Sequence, residues 1–276
     1  MLKIKGGPTL QKCIDELQNV AGISGNSPGM DVTSAINGYS NWLRQAENAL
    51  RNSFADPSLW ESLYDDVYWR ILEFTSATPR WQEIISRQMK YHGDRLETLR
   101  QKLLDLQSWL DSAPGKFAVL DSHVLLHFQP PDQVQWSEIV GELPVRLVLP
   151  LRVVEELDEK KYTARDPIAG RARGLLSSLR TNLVPKGGAP VQIRDDVTIE
   201  VPVEDGPRRR PLDADYEILT MASDLVALGR PVILITDDAG LAIRAAHEGL
   251  KTVRMPEKYL RVPRTSEGDS QRATSP

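Results

Sequence analysis

The sequence predicts an α/β domain built on a parallel sheet and preceded by an all-α domain, and three observations carry that reading. Up to about residue 112 the apolar residues recur at three- and four-residue steps, the spacing of helical stripes. From Lys116 onward, short apolar runs alternate with amphipathic stretches, the pattern of a parallel sheet covered by helices. Acidic residues stand at the carboxyl ends of several of these runs, where the sites of such sheets lie.

The helical part comes first. Thr9 caps a helix over 9–21 that stops at Gly22 and gives way to a linker, 22–30, of Gly, Ser, Asn and Pro. A second helix over 33–54 places Ile36, Tyr39, Leu43, Ala46 and Leu50 on one stripe. Asp56-Pro57 is a fresh start signal, an acid cap followed by a proline suited to a first helical position. Trp60, Leu63, Val67, Ile71 and Phe74 line the inner face of the helix it opens. Thr78-Pro79 repeats that signal, and Ile85, Met89, His92, Leu96, Leu99, Leu103, Leu106 and Leu110 then form a heptad seam. It ends at Ser112-Ala-Pro-Gly115, where the proline cannot continue a helix. About 33 helical residues span roughly 50 Å, so a long coiled-coil-like hairpin or bundle with the Ile36–Leu50 helix is expected, with Gly93 permitting a bend. Packing alone accounts for this spacing in residues 1–112. The expected roles of the domain are self-association, docking of a protein partner, or bracing of the second domain.

That second domain is read over 116–260. Strand 117–121 leads to helix 122–128. Helix 136–142, strand 145–149, helix 151–161 and helix 167–183 come next. Alternating runs at 191–194 and 197–203 around Asp195-Asp196 predict a β-hairpin, and a basic loop with Arg208, Arg209 and Arg210 comes after it. Helix 215–228, strand 231–236, helix 239–248 and a short strand at 251–255 complete the alternation. The tail 261–276, rich in Ser, Thr, Arg, Glu and Pro, is expected to be disordered.

Composition excludes several classes. With 41% hydrophobic residues in 276, the chain is not disordered as a whole. One cysteine, Cys13, leaves neither a disulfide framework nor a cysteine-only zinc site. The stretch Met-Leu-Lys-Ile-Lys-Gly-Gly lacks the apolar core of a signal peptide, and no run approaches the roughly 18 apolar residues of a membrane span. A soluble cytoplasmic protein is expected. A net charge of −4 argues against a generally basic coat for nucleic acid but leaves room for a local basic face.

Four motifs stand in a particular order: Val-Leu-Asp-Ser-His-Val-Leu-Leu (119–126), Val-Leu-Pro-Leu-Arg-Val-Val-Glu-Glu-Leu-Asp (148–158), Asp-Tyr-Glu-Ile-Leu (215–219) and Val-Ile-Leu-Ile-Thr-Asp-Asp-Ala-Gly-Leu (232–241). In that order, over about 116–260, the chain resembles the PIN domain, a three-layer α/β nuclease module of the flap-endonuclease-like superfamily. The resemblance implies a nuclease, in the first instance a ribonuclease, that hydrolyses phosphodiesters with water activated by Mg²⁺ or Mn²⁺. It places the catalytic acids at Asp121, Glu156, Asp215 and Asp238, with Asp237 as an adjacent acid able to share metal binding. Asp238 fits the family's Thr-x-Asp pattern with Thr236 as its threonine; at Asp237 the family often has Asn. Ser122 and Thr236 are implied in supporting roles. Arg171 and Arg173, in a Gly-Arg-Ala-Arg stretch, resemble the basic helix of larger PIN domains, and with Arg165, Arg208, Arg209 and Arg210 they are candidates for phosphate contacts.

Physical chemistry supplies an independent reason for such a cluster. Carboxylates gathered within a few ångströms repel one another, and divalent cations remove that penalty. Oxygen-only ligands suit Mg²⁺ or Mn²⁺. Taken singly, each acid also reads as a helix cap or surface charge. His123 and His127, four residues apart, have the spacing of a zinc pair but no third soft ligand, so packing or substrate contact suits them better. No aromatic-rich platform for single strands is evident. The alternative function is a non-catalytic scaffold that binds RNA or protein through a PIN fold. A toxin of a toxin–antitoxin pair fits less well, given the added helical domain.

Overall fold

The computed structural model describes residues 4–6, 9–24, 31–202 and 213–261. The chain divides into two units, Met1–Ser112 with Asp224–Arg230, and Ala113–Ser223 with Pro231–Pro276.

In the first unit, α1 (Leu10–Ile23) is capped by Thr9, whose hydroxyl accepts from Lys12 N at 3.2 Å, and α2 (Val32–Ser53) by Asp31, which accepts from Ser34 N at 2.9 Å. The single helix expected after Asp56-Pro57 is instead two, α3 (Ser58–Glu61) and α4 (Asp66–Leu72). The cause is Asp65, whose Oδ1 accepts from Val67 N and Tyr68 N, both at 3.0 Å, and restarts the helix in mid-stretch. Next comes α5 (Trp81–Asp111), 31 residues entered through Arg80 at φ 55°. Thr78 does not cap it; its hydroxyl accepts from Thr75 N at 2.9 Å.

The long helix packs against both α1 and α2, so its apolar seam serves a bundle core. Ile85, Leu96 and Leu103 are buried with Leu17, Tyr39, Trp42, Leu43 and Leu50, whereas Leu99 and Leu106 are only partly covered. The Trp42 indole N–H is satisfied by Val20 O at 2.9 Å. Gly93 marks a close approach: a Cβ there would stand 2.2 Å from Ser24 Oγ and 2.5 Å from Ser24 Cβ. His92, with no exposed surface, sits between Gln88 (3.0 Å) and Arg95 (3.3 Å), and Gln88 also donates to Asp65 at 2.7 Å.

The second unit runs β1 (Lys116–Leu120), α6 (Ser122–His127), α7 (Trp136–Val140), β2 (Val145–Val148), α8 (Leu151–Thr163), α9 (Ile168–Leu183), β3 (Val191–Arg194), β4 (Val197–Glu200), α10 (Ala214–Ala227), β5 (Val232–Ile235), α11 (Ala239–His247) and β6 (Thr252–Val253). The six-stranded sheet has the order β3-β4-β2-β1-β5-β6. All pairings are parallel except the β3-β4 hairpin, which turns through Asp196 at φ 58°. Phe117 to Leu120 on β1 are buried without exception, as an inner parallel strand covered on both faces requires. Between β2 and β4, Arg146 and Glu200 form a two-pronged ion pair at 2.8 and 2.9 Å, with no exposure of either side chain. The Arg146 guanidinium also donates to Ala113 O at 2.9 Å and lies 4.5 Å from the centre of the Phe117 ring.

Candidate active site

Asp121 directly follows β1 and Thr236 directly follows β5. Because Leu120 is in register with Ile235, parallel pairing sets those two residues side by side, and Asp121 N adds a further rung to Ile235 O at 3.3 Å. The Thr236 hydroxyl donates to Asp121 Oδ2 at 2.9 Å and accepts from Asp238 N at 3.0 Å. On its other oxygen, Oδ1, Asp121 accepts from His123 N at 3.2 Å and lies 3.4 Å from Ser122 Oγ. Asp121, Ser122 and Thr236 are all buried. Asp238 caps α11, its Oδ1 accepting from Leu241 N at 2.9 Å. Local sequence explains this arrangement: in each case an apolar strand is followed by an acid that starts a helix.

Asp215 comes from the first turn of α10, with its N–H donating to Asp213 Oδ1 at 3.0 Å. Arg244 of α11 binds it, Nη2 donating to Asp215 Oδ2 while Nη1 stands 3.9 Å from Asp213 Oδ2. Partial burial pushes the Asp215 carboxyl above the ordinary range; Arg244 opposes that by hydrogen bond and charge, and the negative charges of Asp213 and Asp121 push it up further. Asp215 is thus within electrostatic reach of Asp121. Asp237 Oδ1 accepts from Arg254 Nε at 2.9 Å.

Glu156 is half-buried on α8, and among the described residues its side chain makes no hydrogen bond or ion pair that ties it to Asp121, Asp215 or Asp238; its charge is felt by Arg152. Sequence reasoning passed over Arg152, Glu217, Arg244 and Arg254. Arg152 N donates to Glu217 Oε1 at 3.3 Å, and among the described residues Arg152 Nε and Glu217 Oε2 are buried without a partner. Glu217 lies within the Asp-Tyr-Glu-Ile-Leu motif, two residues past Asp215, which was the available signal for it. Nothing local marks Arg244, whose role depends on α11 meeting the start of α10.

The cationic candidates divide. Arg165 is exposed; Arg173 is exposed, 3.3 Å from Asp166, and donates to Lys161 O at 3.2 Å. Arg171 directs its terminal nitrogens at backbone carbonyls, Leu126 O at 3.1 Å and Arg261 O at 3.3 Å. Arg208, Arg209 and Arg210 lie outside the described residues, as do position 203 of the expected hairpin and residues 262–276 of the expected tail.

Among the described residues, no group of three or more His, Cys, Asp or Glu is already placed to hold a metal ion. The donor chemistry nevertheless fits a hard divalent cation. The side chains brought together are carboxylates and hydroxyls, and the burial and neighbouring charge that disfavour ionised Asp215 are what a cation would offset. Arg244 occupies Asp215 Oδ2 and the Leu241 N–H occupies Asp238 Oδ1, so each bond engages one oxygen of its carboxylate.

A mostly parallel sheet with Asp121, Thr236 and Asp238 just beyond the carboxyl ends of two neighbouring inner strands defines an α/β domain with an acidic candidate site. A sequence profile of the PIN domain matches residues 118–256, half of the chain, and the chain belongs to the PIN-domain family. No curated protein matches it. Among solved structures, a chain of the tetrameric eIF2B-beta2-delta2 complex from C. thermophilum aligns at 10% identity and a TM-score of 0.23, over 93% of this chain and 83% of that one. A likeness that slight carries no argument.

Proposed function

We propose that the protein is a metal-dependent phosphodiester hydrolase acting on RNA, with Asp121, Glu156, Asp215 and Asp238 as the residues that hold Mg²⁺ or Mn²⁺. The observation that supports this most is the hydrogen-bonded run from Asp121 through Thr236 to Asp238, with the charge of Asp215 coupled to it. When bound, the cation supplies positive charge that acidifies an attacking water and neutralises the phosphodiester.

The chain's own residues do the rest. Thr236 fixes the rotamer of Asp121, and the His123 N–H holds the other carboxylate oxygen. Burial of β1 beneath the site keeps its floor dry, which strengthens every charge interaction above it. Arg165 and Arg173, exposed on the segment after Glu156, offset the repulsion between a polyanion and the acids. Asp237, held by Arg254, is an auxiliary acid at the rim. The helical unit is a docking surface for a protein partner or for self-association. No helix among the described residues is long and apolar enough to cross a membrane.

The test is cleavage of end-labelled RNA by purified protein with Mn²⁺ against the same reaction in EDTA. Metal-stimulated cleavage that disappears in Asp121→Asn is expected; full cleavage by that variant would overturn the assignment.

A further inference from the structure

The helix that Asp121 caps carries two histidines one turn apart, and their rings stack: the centroids of His123 and His127 are 4.1 Å apart with 17° between planes. The edge of Phe128 backs the pair, 6.4 Å from His123 at 63°. His123 is exposed and is anchored at its base by its own N–H bond to Asp121, 3.2 Å long. The exposed His123 ring, laid on the half-buried His127, is not explained as core packing, and no third ligand completes a metal site with the pair among the described residues.

The surroundings point to an anionic partner with a flat ring. Lys160 of α8 and Arg171 of α9 act electrostatically on His127. Arg171 is engaged with backbone carbonyls, whereas the Lys160 ammonium has no hydrogen bond or ion pair among the described residues. Burial first, then the neighbouring charges of His123, Arg171 and Lys160, hold His127 below the ordinary histidine range. The inner ring of the stack is therefore neutral near pH 7, which suits it as a support for stacking. One end of the platform thus meets the acids at Asp121 and the other meets positive charge. Single-stranded nucleic acids are gripped in this way, by rings that stack on unpaired bases beside cations that track the phosphates.

We propose that the His123–His127 stack is a platform for an unpaired nucleobase next to Asp121, with Lys160 receiving the phosphate charge of the same strand. The proposal rests on the hydrolase reading for its substrate class, and it assigns a single-stranded entry to that site.

Fluorescence anisotropy of the full chain with a short labelled single-stranded RNA, in EDTA to prevent cleavage, tests it. His123→Ala is expected to weaken binding about 5- to 150-fold, the range for loss of one base stack. His123→Phe retains affinity, Lys160→Ala weakens it with a reduced salt dependence, and a duplex of the same sequence is indifferent to His123. Equal loss on single-stranded DNA also supports the platform, because stacking reads the ring and not the sugar. Unchanged affinity in His123→Ala, an equal loss on duplex, or no binding of any single strand by the wild type overturns it. Cleavage with Mn²⁺, measured on the same proteins, separates the two readings. His123-dependent binding without cleavage removes the hydrolase and leaves the platform, whereas cleavage with unchanged affinity in His123→Ala does the reverse.

Discussion

The Thr236 hydroxyl joins two strand ends: it donates to Asp121 Oδ2 at 2.9 Å and takes the Asp238 N–H at 3.0 Å. One hydroxyl thus orients two of the proposed metal ligands, and it is almost wholly buried. Thr236→Val keeps the shape and removes the bridge, leaving a buried carboxylate oxygen and a backbone N–H without their partner. A loss of about 1–3 kcal/mol in urea unfolding is expected, together with a fall in metal-stimulated cleavage. Thr236→Ser should restore both, and a fully stable, active Val variant would show that the bridge is dispensable.

Arg244 occupies Asp215 with its own positive charge. Removing it by Arg244→Ala should therefore tighten Mn²⁺ binding, by up to about fivefold for a partly exposed ion pair. Calorimetric titration of the two proteins measures this. Weaker binding in the variant would mean that the guanidinium positions Asp215 for the metal.

His92 gives the helical unit a pH dependence with a defined sign. Burial, with Arg95 adding to it and Asp65 opposing, pushes its imidazole down to about 4 from an ordinary value of 6.5. Between those two values the unfolded chain binds the proton that the folded chain refuses. Stability from this group is thus complete above pH 6.5 and falls as the pH drops toward 4, by about 3 kcal/mol in all. Urea unfolding of wild type and His92→Gln across that window should show a difference that narrows as pH falls; a constant difference would refute it.

The Arg146–Glu200 pair is buried on both sides. Glu200→Ala strands a guanidinium inside the sheet and should cost about 3–5 kcal/mol, whereas the double change Arg146→Met with Glu200→Leu should lie much closer to wild type. Chemical denaturation of the three proteins distinguishes a pair that matters through its partner from one whose residues act independently.

Gly93→Ala would gain about 1 kcal/mol of helix propensity in isolation. Contact with Ser24 Cβ at 2.5 Å reverses the sign, because that atom cannot move without its backbone. A lowered melting temperature is expected, recovered by Ser24→Gly.

The alternation of strands and helices was legible because β1 and β5 lie in uninterrupted apolar runs and β2 in a run broken only by Arg146, and the hairpin because two alternating runs flank Asp195-Asp196. What escaped depends on choices between equally good local signals. Asp56-Pro57 looked like the start of one helix because Trp60, Leu63, Val67 and Ile71 keep helical spacing across the break; the cap that divides them is Asp65, one acid among several. Thr78-Pro79 has the form of a start signal, yet the chain enters α5 at Arg80. At the candidate site, Asp121 and Asp238 could be singled out because each comes just after a strand. The partners that hold Asp215 and Asp237, namely Arg244 and Arg254, come from later elements and have no fixed spacing from those acids.

The parallel order of the sheet also sets when the site can exist. Asp121 finds its Thr236 hydroxyl 115 residues further along the chain, and β5 cannot join β1 until α10 has been made. A growing chain on the ribosome therefore carries the acid without its partner strand while the next 115 residues are made. Any fragment that stops short of residue 236 lacks the arrangement on which the proposed chemistry depends, so the proposed cleavage requires a chain that has been made through β5 and Thr236.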